Sequence, residues 1–334
     1  MTINIKLSSD PVTKAGVNFN AGYAAFFEGF TPYGFPIFNG PSASRTTQIV
    51  HLDTPVTGQE EDTRAVLLGG DDFVYTFSNH TVSGELDTVS LVTLGDAYNS
   101  STGNLELNNS GVVSTATQYI TFSGLDLSNA AGTKGPVHEV VAGLMGGGPS
   151  GASADPTALS AKIFGEGHVV SGSSGGDTYV GTAYRDSVKG NGGNDNLNGA
   201  AGNDTLNGGT GNDTLNGGAG KDALTGGAGS DRFVFSSLSH STPANPDVIY
   251  GFDAPGAAAG DRIDVSALDA KAGVSGNQAF TFGSTDLGGL WLTRIGSDSY
   301  VNANTDNDSA AEFVIRIVDG DTTPSQYTAA DFIL

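Results

Sequence analysis

The sequence predicts an α+β domain, then a repetitive parallel β-structure, then a β-rich C-terminal region. Three observations carry that expectation. Residues 1–162 mix alternating apolar stretches with short amphipathic helices. Between 172 and 234, aspartate recurs at 177, 186, 195, 204, 213, 222 and 231, always nine apart. Residues 235–334 return to mixed composition, with strand-like stretches at 247–252, 279–283 and 312–318. The expected division is therefore 1–162, 163–234 and 235–334.

In the first segment, DFVYTF (72–77) and VSLVTL (89–94) read as strands. PVHEVVAGLM (136–145) reads as a helix, with Pro136 in the first turn and Gly146 to Gly148 ending it. Val137, Val140, Val141 and Leu144 share one face of it. Asp155 before Pro156 predicts a second helix over 156–164. A third is expected near 21–28, AGYAAFFE.

Composition narrows the function. Fourteen Lys and Arg against 36 Asp and Glu leave a net charge of −22 over 334 residues. That disfavours a nucleic-acid partner, which needs a basic face, and favours multivalent cations. The absence of cysteine excludes disulfides, thiolate metal sites and thiol nucleophiles. No apolar run approaches the roughly 18 residues of a membrane span. The opening MTINIKLSSDPV lacks the apolar core of an ordinary signal peptide.

Each repeated aspartate is followed two residues later by an apolar one: Tyr179, Val188, Leu197, Leu206, Leu215, Leu224 and Phe233. The best copies are GAAGNDTLN (199–207), GGTGNDTLN (208–216) and GGAGKDALT (217–225). IFGEGHVVS (163–171) reads as a degenerate eighth copy with His168 at the aspartate position. Glycine permits tight turns, the carboxylate is a hard ligand, and calcium takes six to eight oxygens. The pattern resembles the RTX nonapeptide repeat, a parallel β-roll or β-helix that binds calcium. In that roll two nonapeptides make one coil. The resemblance therefore places Asp177, Asp195, Asp213 and Asp231 on one edge, and Asp186, Asp204 and Asp222 on the other. It implies about three plus two shared calcium sites. GTAYRDSVK (181–189) departs by lacking the fourth-position glycine.

Downstream, DVIYGFDAPGAAAGDRIDVSAL (247–268) resembles the C-terminal secretion domain of serralysin-type proteins. YTAADFIL (327–334) resembles the tail read by type I secretion systems. The resemblance implies the type I apparatus as a partner and an extracellular, secreted or surface-associated product. NANTDNDSAAE (302–312) echoes a calcium loop through Asn302, Asn304, Asp306, Asp308 and Glu312, without the EF-hand glycine.

A zinc protease is not expected. Its motif needs H-E-x-x-H, and His138-Glu139-Val140-Val141-Ala142 has alanine at the second ligand. No G-x-S-x-G elbow or P-loop is present.

GGDDFVYTFSNHTVSGELDTVSLVTLGD (69–96) resembles the HasA-type hemophores, secreted haem-acquisition proteins. YITFSGLDLS (119–128), KGPVHEVVAGLMGGG (134–148) and AGYAAFFEGF (21–30) follow the same family. The resemblance implies a curved antiparallel sheet packed on one side by helices. It implies ferric haem b held between two loops, with Tyr75 as iron ligand hydrogen-bonded by His80. The intervening segment is about three residues shorter than in the best-known members. A phenol with an ordinary pKa of about 10 becomes a hard phenolate donor when an imidazole accepts its proton. Met145 matches the methionine over the porphyrin, and His138 lies on nearly the same stripe. The second loop, 27–45, lacks the family's histidine, and Tyr33 is its conventional ligand. Implied partners are haem, an outer-membrane haem receptor and host haemoproteins, without enzymatic activity. A calcium-dependent surface or matrix protein whose domain binds no haem stays open as the alternative.

Overall fold

A computed structural model describes residues 2–9, 13–33, 36–40, 46–57, 59–76, 78, 81–99, 104–110, 112–113, 115–144, 153–253, 255–257, 260–306, 308, 310–320 and 322–334. The chain forms two compact units. One is Met1–Ser8 with Phe19–Glu166; the other is Ser9–Asn18 with Gly167–Leu334. No boundary falls at 234, because the repeat strands pair onward with later ones.

The first unit is an antiparallel sheet in the order Thr2–Leu7, Thr117–Asn129, Thr81–Thr93, Arg64–Thr76, Gln48–Leu52, Ile37–Asn39. The two stretches read as short strands are parts of 13-residue strands. Register shifts between Gly69/Gly70 and between Asp71/Val74 interrupt their alternation. Such bulges increase local twist and bend the strand.

The helices span Phe19–Phe27, Pro136–Leu144 and Thr157–Phe164. Asp155 accepts the Thr157 N–H (3.0 Å), but the third helix starts at Thr157 with Pro156 as its N-cap residue, one position later than expected. Val137, Val140, Val141 and Leu144 are all buried, the face the spacing predicted. Phe122 on the sheet meets Phe19 and Tyr23 edge-on, with centroids 6.2 and 5.9 Å away. The sheet is covered on its other face too, which was not expected. There Val50, Ala65, Leu67 and Val92 pack with Leu94, Ala97, Val113 and Ala116.

In the second unit the repeats wind into two parallel sheets. One runs Gly167–Ser171, Ser187–Gly192, Thr205–Thr210, Ala223–Ala228, Asp247–Tyr250, Phe313–Val318. The other runs Thr178–Val180, Asn196–Asn198, Thr214–Asn216, Arg232–Val234, Arg262–Asp264, Phe332–Ile333. Leu197 pairs with Leu215, and Leu206 with Leu224, so one coil is two nonapeptides. The seven apolar residues two after the aspartates are at most 1% exposed. Each large apolar side chain so buried contributes about 1.5–3 kcal/mol.

The interior column continues beyond the repeats. Leu224 pairs with Ile249 and Phe233 with Ile263. It also extends backwards. Val170 pairs with Val188, so 163–171 supplies a coil strand at the degenerate eighth copy. Asn18 bridges Thr178 in parallel, and the Val17 carbonyl accepts the Thr178 N–H (2.9 Å). Val17 and Asn18 thus join the roll from outside the nonapeptide pattern.

Glycine is required where coils stack closely. Gly211 has φ +128°, and a Cβ there would lie 1.9 Å from the Gly193 carbonyl oxygen.

Candidate functional site

Two places in the molecule gather the predicted site residues. The first is the pair of roll edges. Every repeat aspartate is buried, at most 2% exposed. Each Oδ1 accepts a backbone N–H from the coil before it. Asp195 accepts from Asp177 (2.6 Å), and Asp213 from Asp195 (2.8 Å). On the other edge Asp204 accepts from Asp186 and Asp222 from Asp204, each at 2.8 Å. The ladders run past the repeats to Asp247, which accepts from Asp222, and Asp261, which accepts from Asp231.

The second oxygens behave differently. Oδ2 of Asp195, Asp204, Asp213, Asp222, Asp231 and Asp247 is buried with no hydrogen-bond partner among the described residues. A buried, half-satisfied carboxylate costs several kcal/mol. The protein answers by favouring the neutral acid. Burial pushes Asp195 up to about 7 and Asp204 and Asp247 up to about 8, opposed by the donated N–H and reinforced by neighbouring aspartates. Asp213, Asp222 and Asp231 are raised for the same leading reason. A hard divalent cation satisfies the same bare oxygens without a proton. These orphaned atoms, in glycine-rich turns, fit calcium.

The second place is the hairpin end carrying Tyr75. Tyr75 pairs with Val82, the last pairing but one before the turn. The neighbouring strand has stopped there, its last pair being Gly84 with Asn129. Two side chains replace it. Asn129 Nδ2 donates to the Val82 carbonyl (3.2 Å), and His138 Nδ1 accepts the Val82 N–H (3.4 Å). Asn129 Oδ1 also accepts the Val137 N–H (3.1 Å), so it ties the helix start to the same point. His138 therefore stands beside the Tyr75 end as a neutral acceptor. Burial first, then the Lys134 charge, lowers its pKa, with Glu139 opposing. Val74, next to Tyr75, is 45% exposed. A groove of about 410 Å³ runs along this end between Asp72, Val74, Ser83, Glu85 and Asn129.

Of the predicted haem residues, the structure brings Tyr75 and His138 to one end. His80 and Met145, and the Tyr75 side chain, lie outside the described residues. Tyr33 is placed elsewhere. Its N–H donates to the Leu52 carbonyl (2.8 Å), and Leu52 pairs with Ala65. Ala65 is ten residues from Tyr75 on one strand, roughly 30 Å at the usual rise. Tyr33 lines a separate cleft of about 390 Å³ with Ile37, Leu52, Leu94, Tyr98 and Leu105. Segment 31–33 is held there by Asp53, which accepts the Thr31 N–H (2.7 Å) and pairs with Arg64 (2.6 Å).

His51 is buried in the same sheet, and its Nε2 has no partner among the described residues. Burial pushes its pKa down to about 4. The folded value is below the unfolded one of about 6.5, so stability is complete above that pH. It is lost as pH falls toward 4, by on the order of 3 kcal/mol. Protection of the Gln48–Leu52 amides, corrected for the intrinsic exchange rate, is expected to be lower at pH 4.5 than at pH 7, and His51→Gln should abolish that difference. An unchanged pH profile in that variant would contradict the assignment.

The calcium-like stretch 302–312 forms a strand end and turn. Asp306, Asp308 and Glu312 carboxylates lie within 4.8 Å of one another, and Asn304 Oδ1 accepts the Asp306 N–H. Asn302 is instead a strand residue whose Nδ2 donates to Thr293 Oγ1 (3.1 Å).

The hairpin end thus carries Tyr75 in its backbone pairing, and the roll carries a series of buried carboxylates with one bare oxygen each. Residues 44–163 match the family model of heme-binding protein A (HasA). Residues 171–206 and 198–233 match the RTX calcium-binding nonapeptide repeat (4 copies). The chain thus carries a HasA domain followed by RTX repeats. No curated protein matches it. Among solved structures, the AlgE6R2 subunit of the Azotobacter vinelandii mannuronan C5-epimerase is 26% identical, covering 47% of this chain and 91% of that one, with TM-score 0.35. The apo hemophore HasA from Yersinia pestis is 19% identical, covering 48% and 86%, with TM-score 0.32. Its holo form is also 19% identical, covering 47% and 86%, with TM-score 0.31. No helix among the described residues is long and apolar enough to cross a membrane.

Sequence reasoning missed Asp247, Asp261, Asn129 and the segment 9–18. For the two aspartates a signal existed: each precedes an alternating apolar stretch, DVIY or DRID, as the repeat aspartates precede theirs.

Proposed function

We propose that this is a secreted, non-enzymatic haem-binding protein whose roll folds on meeting extracellular calcium. The observation that supports it most is the HasA match over 44–163, which includes Tyr75, whose strand partner Val82 donates its N–H to His138. Tyr75 is the iron ligand in this reading, with His80 accepting its proton. His138 and Met145 border the porphyrin. Tyr33 stands at the other end of the strand and supplies no second ligand here. A porphyrin-bound ferric ion would supply the Lewis acidity that makes a phenolate the preferred donor. The chain's own work is to hold the tyrosine at an open edge, fixed from outside by Asn129 and His138. Haem would be taken up outside the cell and passed to a surface receptor. Hemin titration into the calcium-loaded chain is expected to saturate at one per chain with a Soret band. No band, or one shared equally by serum-type nonspecific binders and lost on gel filtration, overturns the reading.

Export by a type I apparatus is part of the proposal. In the folded unit the tail is a strand, with Phe332 paired to Ile263 and Asp331 accepting the Gly256 N–H (2.6 Å). Deleting residues 324–334 should leave the protein inside a type I-competent host. Normal secretion of that truncation contradicts the assignment.

A further inference from the structure

The edges of the roll close in two chemically different ways. At Asp177, Oδ2 accepts the Ser173 N–H (2.6 Å), and Ser173 Oγ donates to Oδ1 (3.0 Å). At Asp186, Oδ2 accepts the Thr182 N–H (2.7 Å), and the Thr182 hydroxyl lies 3.3 Å from it. At Asp261, Oδ2 accepts the Asp253 N–H (2.8 Å). These three carboxylates have hydrogens on both oxygens. A cation approaching Oδ2 would meet donors.

The other six have no hydrogen on Oδ2 among the described residues. Asp247 belongs with them although it lies outside the matched repeats, 25 residues after Asp222. It is 0% exposed, its Oδ1 accepts the Asp222 N–H (2.8 Å), and its Oδ2 has no partner among the described residues. Its own N–H is taken by the buried Ser241 hydroxyl (2.8 Å), so this edge ends on an open carboxylate.

Backbone conformation explains the division. The sealing residues Ser173 and Thr182 occupy the second position of their nonapeptides. In later copies that position has positive φ: Asn191 at 74°, Ala200 at 71°, Gly209 at 110°, Gly218 at 92° and Gly227 at 110°. Ser173 and Thr182 are not among the positive-φ residues, and their N–H groups reach the carboxylate.

We propose that Asp247 is a calcium ligand, completing a site with Asp222 beyond the nonapeptide array, and that the loops of Asp177 and Asp186 hold no calcium because Ser173 and Thr182 take its place. The ion-facing carboxylates are then Asp195, Asp213 and Asp231 on one edge, and Asp204, Asp222 and Asp247 on the other. This assignment rests on the calcium reading of the roll.

Calorimetric titration of the full, chelator-stripped chain with calcium chloride tests it. Asp247→Asn keeps the Oδ1 acceptor, so the ladder bond survives. It is expected to lower the number of bound ions by about one and raise the calcium midpoint several-fold, as Asp222→Asn does. Asp186→Asn and Asp177→Asn should leave the number unchanged. Thr182→Gly should unseal Asp186 and add an ion. A full count in Asp247→Asn, a loss in Asp186→Asn, or an unchanged count in Thr182→Gly would each overturn the assignment. Absence of any calcium uptake by the wild-type chain would overturn the calcium reading itself, and the assignment with it.

Discussion

Stripping calcium from this protein is expected to melt the roll, residues 167 to 264, while the sheet of the first unit persists. The cause is the set of buried carboxylates with one bare oxygen each. Without a cation these must ionise in a poor solvent or keep a proton. Each ion that binds only the native state adds about 2.7 kcal/mol at a hundredfold excess over its dissociation constant. Four or five such sites together would add about 11–14 kcal/mol, comparable to the roughly 5–15 kcal/mol that typically holds a domain. Circular dichroism with chelator, then with millimolar calcium, should show a large gain of β signal. An unchanged spectrum would sink the expectation.

The pH response should change sign with calcium. In the metal-free chain Asp204 and Asp247 titrate near 8 and Asp195 near 7, all above the unfolded value of about 3.9. The folded state binds those protons more tightly, so the contribution of these aspartates to the metal-free roll's stability is greatest below pH 4 and is lost as pH rises through 7 to 8. Calcium needs the ionised form, so its midpoint should rise as pH falls from 8 to 6. A calcium midpoint independent of pH over that range would contradict the carboxylate account.

The second large effect concerns haem. Tyr75→Ala is expected to lose hemin almost completely while its calcium transition stays where it was. His80→Ala should still bind, with release accelerated by about 10–100-fold, the usual cost of removing a partner that orients a metal ligand. Acid should favour release, because imidazolium cannot accept the tyrosine proton. Retained affinity in Tyr75→Ala would end the ligand assignment and favour a surface or matrix role.

Much of the roll was legible because its period is imposed by backbone geometry. Seven aspartates and their apolar partners at nine-residue spacing carry the resemblance to the RTX roll, and its coil of two nonapeptides is seen in the pairing of Leu197 with Leu215. Where the spacing becomes 25 and 30 residues, at Asp247 and Asp261, the ladder continues through chain insertions that periodicity cannot follow. Ser9–Asn18 is joined by pairing alone, 160 residues from Asp177 in sequence. The helix Pro136–Leu144 was legible from its apolar face. What His138 does was not, because its partner is a backbone N–H left open by a strand ending elsewhere. Bulges at Gly69/Gly70 and around Asp72, with φ +52°, broke the alternation that would have revealed one long strand.

The electronic and resonance Raman spectra of the hemin-loaded, calcium-loaded chain address the central claim most directly. A single tyrosine from the hairpin end, with Tyr33 far away, predicts a mainly high-spin ferric haem with iron–phenolate vibrations that vanish in Tyr75→Ala. A low-spin bis-histidine spectrum, or phenolate bands that survive that substitution, would contradict it.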